Sequence, residues 1–325
     1  MTGAPKGLAD VVGDRYGGAA VTGKAETGRW RGAKVAVVTG TGEQDGDVTL
    51  AVRAKGEDWR VVGGWWPSLG KAKGAQSLGG RTHVLVVGSD ARPGEPADRS
   101  RADAIQLLGV DGEGGAGLMG FARDLWVPIP GHGQGKLNAA LVYGGPDAQV
   151  AAVEQVSGIE PAGYVVTGFS GFTKIVDELG GLSFDAPRAL DSHLPGGQIP
   201  EGESTLSGKE ALSWARERKT LPGGDFDRSR NQGLLIAAAA LQARMAGPQV
   251  IPEAMTVIDK HATSNLSAEE MLLFSAAFFK VSPTKVGHTV AKGPVGTAGG
   301  GQSVVFLGDE AKASLRDFAD GRLGG

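Results

Sequence analysis

Apolar residues fall along the chain in short runs separated by glycine and polar turns. KVAVVTG (34–40), VTLAVRA (48–54) and WRVVGGWW (59–66) are rich in β-branched and aromatic residues and predict a small meander of strands. The 33 residues before them are rich in glycine and charge with weak periodicity, and read as flexible or short edge structure. Residues 67–82, PSLGKAKGAQSLGGRT, read as a linker. A second series of apolar runs follows: HVLVVGSD (83–90), DAIQLLGV (103–110) and GLMGFARD (117–124). Both series run strand, turn, strand, turn, strand, then Trp and Pro, a layout that fits either a degenerate repeat or two unrelated meanders.

The period then changes. DAQVAAVEQVSG (147–158) predicts a helix ending at Gly158. SGFTKIVDELGG places Phe172, Ile175, Val176 and Leu179 on one face and stops at Gly180-Gly181. Ser207-Gly-Lys-Glu210 and Ser267-Ala-Glu-Glu270 are capping boxes that open two further helices. A long helix is expected from about Phe226 to Met245. The end, KVGHTVAKG to DEAKASLRDFADG, reads strand, strand, helix. Strands alternating with helices predict an α/β fold, a sheet covered by helices.

Composition narrows the picture by exclusion. A chain of 325 residues with 41% hydrophobic residues can bury a sizeable core as one large domain or two smaller ones. A net charge of −3 argues against a nucleic-acid grip over the whole protein. Cysteine is absent, which removes disulfides, zinc-thiolate sites and a cysteine nucleophile. The five histidines show no ligand spacing. No apolar run reaches the 18 or so residues of a membrane span, and the first residues lack the apolar core of a signal peptide. The 55 glycines, many in pairs, predict many tight turns.

Charge gathers in three places. GSDARPGEPADRSRAD (88–103) carries Asp90, Arg92, Asp98, Arg99, Arg101 and Asp103 between two apolar strands. FARDLWVPIPGHGQGKLNAA carries Arg123 and Asp124 at a strand end, then Lys136 and Asn138. SWARERKTLPGGDFDRSRNQG (213–233) packs Arg216, Arg218, Lys219, Arg228 and Arg230 around a Pro-Gly-Gly break, with Glu217, Asp225 and Asp227 among them. Strand ends and helix starts are where α/β sheets place ligands. If the clusters converge, several guanidinium groups suit a di-anion or pyrophosphate, and carboxylates beside them suit Mg²⁺. Arg228 and Gln232 share a helix face. For any single arginine, a solvated loop or surface ion pair is the plainer reading. Competing motifs fail: TGTGEQDG has Asp45 where a dinucleotide fingerprint needs its third Gly, SLGKAK lacks most of a P-loop, and no Ser/His/Asp triad can be placed. Trp65, Trp66, Trp126 and Trp214 read as core or pocket wall.

Seven stretches in order, LVVGSDAR, RADAI, FARDLWVPIPG, KLNAAL, GFTKIVDELGGL, LSGKEALSWARER and GDFDRSRNQ, resemble the catalytic domain of the LytR-CpsA-Psr family across residues 83–319. The resemblance implies a central mixed β-sheet flanked by helices over 81–325, with 1–80 a small β-rich accessory region and linker. It implies transfer of a glycopolymer, such as teichoic acid, capsule or arabinogalactan, from a polyprenyl-pyrophosphate carrier to a peptidoglycan sugar hydroxyl. Mg²⁺ or Mn²⁺ assists, and the lipid lies in an apolar tunnel between sheet and helices. By the same resemblance Asp90 and Asp103 are metal-side carboxylates. Arg101 and Arg123, with Asp103, stand at the reacting phosphorus. Arg216, Arg218, Arg228, Gln232 and Lys136 grip the substrate. The proton acceptor is Asp103 or Asp124, and GLLIAAAAL or MLLFSAAFF are possible tunnel walls.

The usual member has an N-terminal membrane helix and Ile-Pro-Arg-Asp where this chain has Phe-Ala-Arg-Asp. The expected location is the extracytoplasmic face of a bacterial cell membrane, with no anchor in this chain and no nucleic-acid partner. Two alternatives remain at this stage: a lipid pyrophosphate phosphatase, and a non-catalytic polyprenyl-phosphate binding protein.

Overall fold

The architecture is a mixed central sheet flanked by helices, with small antiparallel sheets around it and a four-stranded meander at the N-terminus. It is taken from a computed structural model that describes residues 1–18, 20–70, 78–92 and 94–324. The chain opens with a short helix, α1 (Leu8–Gly13). Then come β1 (Gly23–Trp30), β2 (Ala33–Gly40), β3 (Val48–Arg53) and β4 (Arg60–Trp65), paired antiparallel in sequence order. The three apolar runs are therefore strands. Within the stretch expected to be flexible or edge structure, β1 is an edge strand. It was hard to see because only Ala25 and Trp30 of its eight residues are buried. Of the linker expected at 67–82, residues 71–77 lie outside the described residues; of the rest, Pro67–Leu69 form a single 3₁₀ turn, Leu78 is buried and Thr82 already belongs to the next strand.

The central part runs β5 (Thr82–Ser89), β6 (Ala102–Val110), β7 (Ala116–Phe121), the hairpin β8 (Trp126–Ile129) and β9 (Gly133–Lys136), α2 (Ala140–Ser157), β10 (Gly163–Gly168) and α3 (Phe169–Glu178). Small paired strands follow, β11 (Leu182–Ala186), β12 (Leu190–Asp191), β13 (Gln198–Ile199) and β14 (Gly202–Leu206), and lead into α4 (Gly208–Arg216). The rest comprises α5 (Asp225–Ala246), α6 (Ile251–His261), β15 (Thr263–Ser264), α7 (Ala268–Ala277), β16 (Val286–Ala291), the hairpin β17 (Val295–Ala298) and β18 (Gln302–Val305), and α8 (Asp309–Phe318). Both expected capping boxes close: the Ser207 and Ser267 hydroxyls each accept from the backbone three residues on, and Glu210 and Glu270 reach back.

The central sheet has the order β15-β10-β5-β6-β7-β16. β10 lies parallel to β5 and β16 parallel to β7, while β5, β6 and β7 are antiparallel. Alternation along the strands divides the core. Leu85, Val87, Ile105, Leu107 and Met119 pack with α2 and α8 on one face. Val84, Leu108 and Leu118 pack with α6 and α7 on the other, in a cluster that continues into Val35, Val37, Leu50 and Val52 of the meander. The meander is thus joined to the sheet through one apolar core. MLLFSAAFF belongs to this core, since Met271, Leu272 and Phe274 are buried there.

Contact between meander and helices is close at Gly28. A Cβ there would come within 2.0 Å of the Pro252 carbonyl oxygen on α6. Arg29 N donates to Thr256 Oγ1 at 2.8 Å and Arg31 N to Asp259 Oδ1 at 3.0 Å, so β1 is stitched along α6.

His288 of β16 faces Gly233 of α5, where a Cβ would meet its Nε2 at 2.1 Å. Burial first, then Arg230, lowers its pKa from 6.5 to about 4. Between those values the unfolded chain takes up a proton that the native state refuses. Stability is therefore full above about pH 6.5 and is lost as pH falls toward 4, by up to roughly 1.4 kcal/mol per pH unit. Urea midpoints measured from pH 8 to 4 are expected to fall across that window. His288→Gln flattens the fall, leaving the smaller share of His83, also lowered by burial; an unchanged profile contradicts this.

Candidate functional site

The site forms at the ends of β5, β6 and β7 and at the break between α4 and α5. Gly88 pairs with Ala104 and Ser89 with Ala102, which leaves Asp103 as the extra residue of a bulge in β6. A bulge re-aims its side chain, and Asp103 borders a cavity with Ala104 and Gln106 instead of alternating with them. Gln232 of α5 holds this arrangement: its Nε2 lies 3.3 Å from the Asp103 carbonyl and 3.1 Å from that of Ala215 on α4. Gln232 is buried and ties three elements together beneath the charged groups.

Two guanidinium groups meet at Asp103. Arg123 Nη1 donates to Oδ1 at 2.5 Å, and Arg228 Nη1 lies 3.7 Å from Oδ2. Asp225, at the start of α5, sits between the same pair, with Oδ1 2.8 Å from Arg228 Nη2 and 3.6 Å from Arg123 Nε. Burial presses on both arginines. For Arg123 it is opposed by Asp103, Asp225 and Asp124, which together raise the pKa above its ordinary value. For Arg228 burial prevails over Asp225 and Asp103, aided by Arg123 and Arg218, and the pKa is lowered. Both remain cations at any physiological pH. Arg123 Nε is buried without a hydrogen-bond acceptor, and Asp225 Oδ2 is buried without a donor among the described residues. Buried polar groups are normally satisfied, so these two atoms retain hydrogen-bonding capacity for water or a ligand.

The other expected residues surround it. Arg216, ending α4, stands over the Phe169 ring at 4.4 Å, a cation–π contact that fixes it at the cavity. Arg218 is exposed, and near enough to Arg228 for the two charges to act on each other. Its loop is held by Glu217, a buried carboxylate that accepts from Ser192 Oγ and from the backbone of Arg218 at 2.8 Å and Thr220 at 3.1 Å. Burial pushes the Glu217 pKa up, but these bonds outweigh it and hold the carboxyl below the usual range. Asp90 Oδ1 accepts from Arg101 N at 2.9 Å, and its other oxygen has no protein partner among the described residues. Lys136 does not join the guanidinium pair; it binds Asp124 at 3.0 Å on the far side of Arg123. Three contributors were given no role from sequence. Asp225 had a signal, its i, i+3 spacing to Arg228; Glu217 and Phe169 had none.

Below the cluster lies a cavity of about 380 Å³ between the sheet and helices α3 to α6. Asp103, Arg216 and Arg228 stand on its wall, with Ile175, Leu182, Leu235, Ile236 and Ala239 among the apolar lining. GLLIAAAAL therefore walls the cavity through three of its residues, while MLLFSAAFF contributes none to it. A second, polar groove of about 360 Å³ opens on the other side of Arg123, between the β8–β9 hairpin and α2. Among the described residues no helix is long and apolar enough to cross a membrane, and no group of three or more His, Asp or Glu converges as metal ligands.

Comparison with known proteins gives a consistent result. The family model described as the LytR_cpsA_psr family matches residues 69–316. The regulatory protein MsrR of Staphylococcus aureus is 35% identical over 156 residues, 47% of this chain and 46% of its own. The polyisoprenyl-teichoic acid–peptidoglycan teichoic acid transferase TagU of Bacillus mycoides is 30% identical over 191 residues, 58% of this chain and 61% of its own. The chain thus spans about half the length of the curated relatives it matches. Among solved structures, B. subtilis TagV superposes with a TM-score of 0.62 at 24% identity, over 74% of this chain and 98% of that one. TagT (YwtF) of B. subtilis with bound octaprenyl pyrophosphate lipid gives 0.55 at 22% identity, over 74% and 90%.

Proposed function

We propose that this chain, which belongs to the LytR-CpsA-Psr family, transfers a glycopolymer from a polyprenyl-pyrophosphate carrier to a sugar hydroxyl of peptidoglycan at the extracytoplasmic face of a bacterial cell membrane. The observation that carries this reading is the pairing of Arg123 and Arg228, with a buried unbonded Arg123 Nε, at the mouth of an apolar cavity. A pyrophosphate with a long hydrocarbon tail meets both demands: oxygens for the guanidinium groups, methylenes for the cavity.

Phosphoryl transfer needs positioning and charge neutralisation more than covalent help from the protein. The acceptor hydroxyl oxygen attacks the phosphorus that carries the glycopolymer. The bond from that phosphorus to the bridging oxygen breaks, and polyprenyl monophosphate leaves with the electron pair. Arg228, Arg216 and Arg218 hold the leaving phosphate, while Arg123 and Arg101 face the reacting one. Asp103 has a guanidinium at each oxygen, whereas Asp124 Oδ2 has only Arg123 Nε, 4.0 Å away. Asp124 is accordingly the better placed to take the hydroxyl proton. Asp90, with one carboxylate oxygen unpartnered, would hold Mg²⁺ or Mn²⁺, hard cations that take few protein oxygens beside substrate phosphates, and Asp103 would join it by giving up the longer of its arginine contacts, the 3.7 Å one to Arg228. A bound cation supplies further neutralisation of the pyrophosphate.

The test supplies a polyprenyl-pyrophosphate disaccharide, Mg²⁺ and an uncrosslinked peptidoglycan strand to the purified protein. The expected products are a phosphodiester-linked strand and polyprenyl monophosphate. Release of free sugar phosphate with the acceptor present points to a phosphatase, and binding without turnover points to a carrier; either result rejects the proposal.

A further inference from the structure

The polar groove on the far side of Arg123 is unassigned by the reading above. It shares no lining residue with the apolar cavity, yet Arg123 links the two, lining the groove and binding Asp103 of the cavity wall. In the β8–β9 hairpin, Val127 and Ile129 are buried on the inner face, so Trp126 and Pro128 turn outward. Trp126 pairs across with Lys136, and Pro128 with Gln134. Gly135 allows the two strands to lie close, since a Cβ there would meet Ile129 Cδ1 at 2.7 Å. The facing wall is Asn138 and Tyr143, and Gln302 of β18 completes the lining. His132 at the hairpin turn stacks on Tyr143, with centroids 4.8 Å apart and planes at 15°, which holds the two walls at a set spacing. β18 is fixed beside the site because Val305 N donates to the Asp124 carbonyl at 2.9 Å.

Two aromatic rings, three primary amides and a Lys–Asp pair, with the cationic Arg101 and Arg123 beside them, make a lining of a particular kind. The rings offer flat apolar surface for the C–H faces of pyranoses, and the amides offer paired donors and acceptors for hydroxyl and acetamido groups. A volume of about 360 Å³ is that of a small-ligand site. Attacking and leaving oxygens lie roughly in line at phosphorus. With the leaving lipid phosphate at the cavity, the incoming hydroxyl must come from the opposite side of Arg123, which is the groove. We propose that this groove is the acceptor subsite, holding N-acetylated pyranose units of a glycan strand with the reacting hydroxyl beside Asp124. The inference rests on the transfer reading and adds the location and recognition of the acceptor.

The test uses chitotetraose, a peptide-free strand of N-acetylated pyranoses, with the full chain. Tyr143→Ala and Gln302→Ala are the variants, both at exposed positions. In transfer assays each is expected to raise the acceptor KM about tenfold while kcat and the donor KM stay within twofold. Saturation-transfer NMR without donor is expected to show chitotetraose binding to the parent chain and its loss in both variants. An unchanged acceptor KM, or binding that persists in both variants or is absent from the parent, overturns the acceptor subsite. A rise in donor KM instead assigns the groove to the first sugars of the donor and also overturns it. A parent chain that binds chitotetraose through Tyr143 and Gln302 but makes no linked product retains the groove and rejects the transfer reading.

Discussion

Arg123→Met is expected to lower glycopolymer transfer by about 10³-fold, the scale seen when a charge-stabilising donor is removed from a phosphoryl-transfer site. The residue lines the polar groove, binds Asp103 on the wall of the apolar cavity, and lies near Asp225 and Asp124. Its removal takes away the buried Nε–H, which lies near Asp225 and Asp124 but makes no hydrogen bond within the protein, and leaves Asp103 and Asp225 sharing Arg228 alone. An uncompensated carboxylate also weakens the fold, so a melting curve accompanies the assay. Arg123→Lys separates the two effects. It keeps the charge and most of the stability but not the fork that binds two oxygens at once. Transfer is expected to stay well below the parent rate, with the loss mainly in kcat. A lysine variant of full activity, or a methionine variant within tenfold of the parent, places the reacting phosphorus elsewhere.

The second large effect concerns the tail and not the head. Ala239 lies on α5 within the apolar cavity. Ala239→Phe puts a ring into space that the proposed function gives to polyprenyl methylenes. Each buried methylene contributes about 0.8 kcal/mol, so displacing about four of them costs roughly 3 kcal/mol, or about a hundredfold in affinity. The loss is expected for an octaprenyl pyrophosphate but not for a geranyl pyrophosphate, whose short chain need not reach past Ala239. Titration calorimetry with the two lipids distinguishes the cases. Equal losses for both mean that the ring has disturbed the arginine cluster. No loss for either means that the lipid takes another path.

Much of this arrangement was legible in the chain because it is local. The apolar runs gave strands, and both Ser-x-x-Glu stretches gave helix starts that close as capping boxes. The charges at 213–233 pointed to a bend between two helix ends, which is where α4 and α5 meet. The convergence itself was not legible. Asp103 reaches the cavity only because β6 carries an extra residue opposite Gly88 and Ser89, and nothing in RADAI marks a bulge. The separation of Lys136 from the guanidinium pair depends on which side of Arg123 the β8–β9 hairpin folds. The two apolar stretches offered as tunnel walls had like compositions and different fates, because burial against a cavity and burial against a second sheet require the same residues. β1 was obscured for the opposite reason: it packs through backbone and a glycine, not through a row of apolar side chains.

That glycine seat has a consequence for the limits of the working unit. α6 presents Pro252, Thr256 and Asp259 to β1 and Glu253 and Ala254 to the cavity. One helix is therefore a shared wall, glued on one side to the meander and lining the chamber on the other. Excising the first 66 residues would bare Met255 and Leu272 to water and release the outer support of that wall. The smallest piece able to keep that cavity walled on every side is accordingly larger than the stretch 69–316 that marks the family.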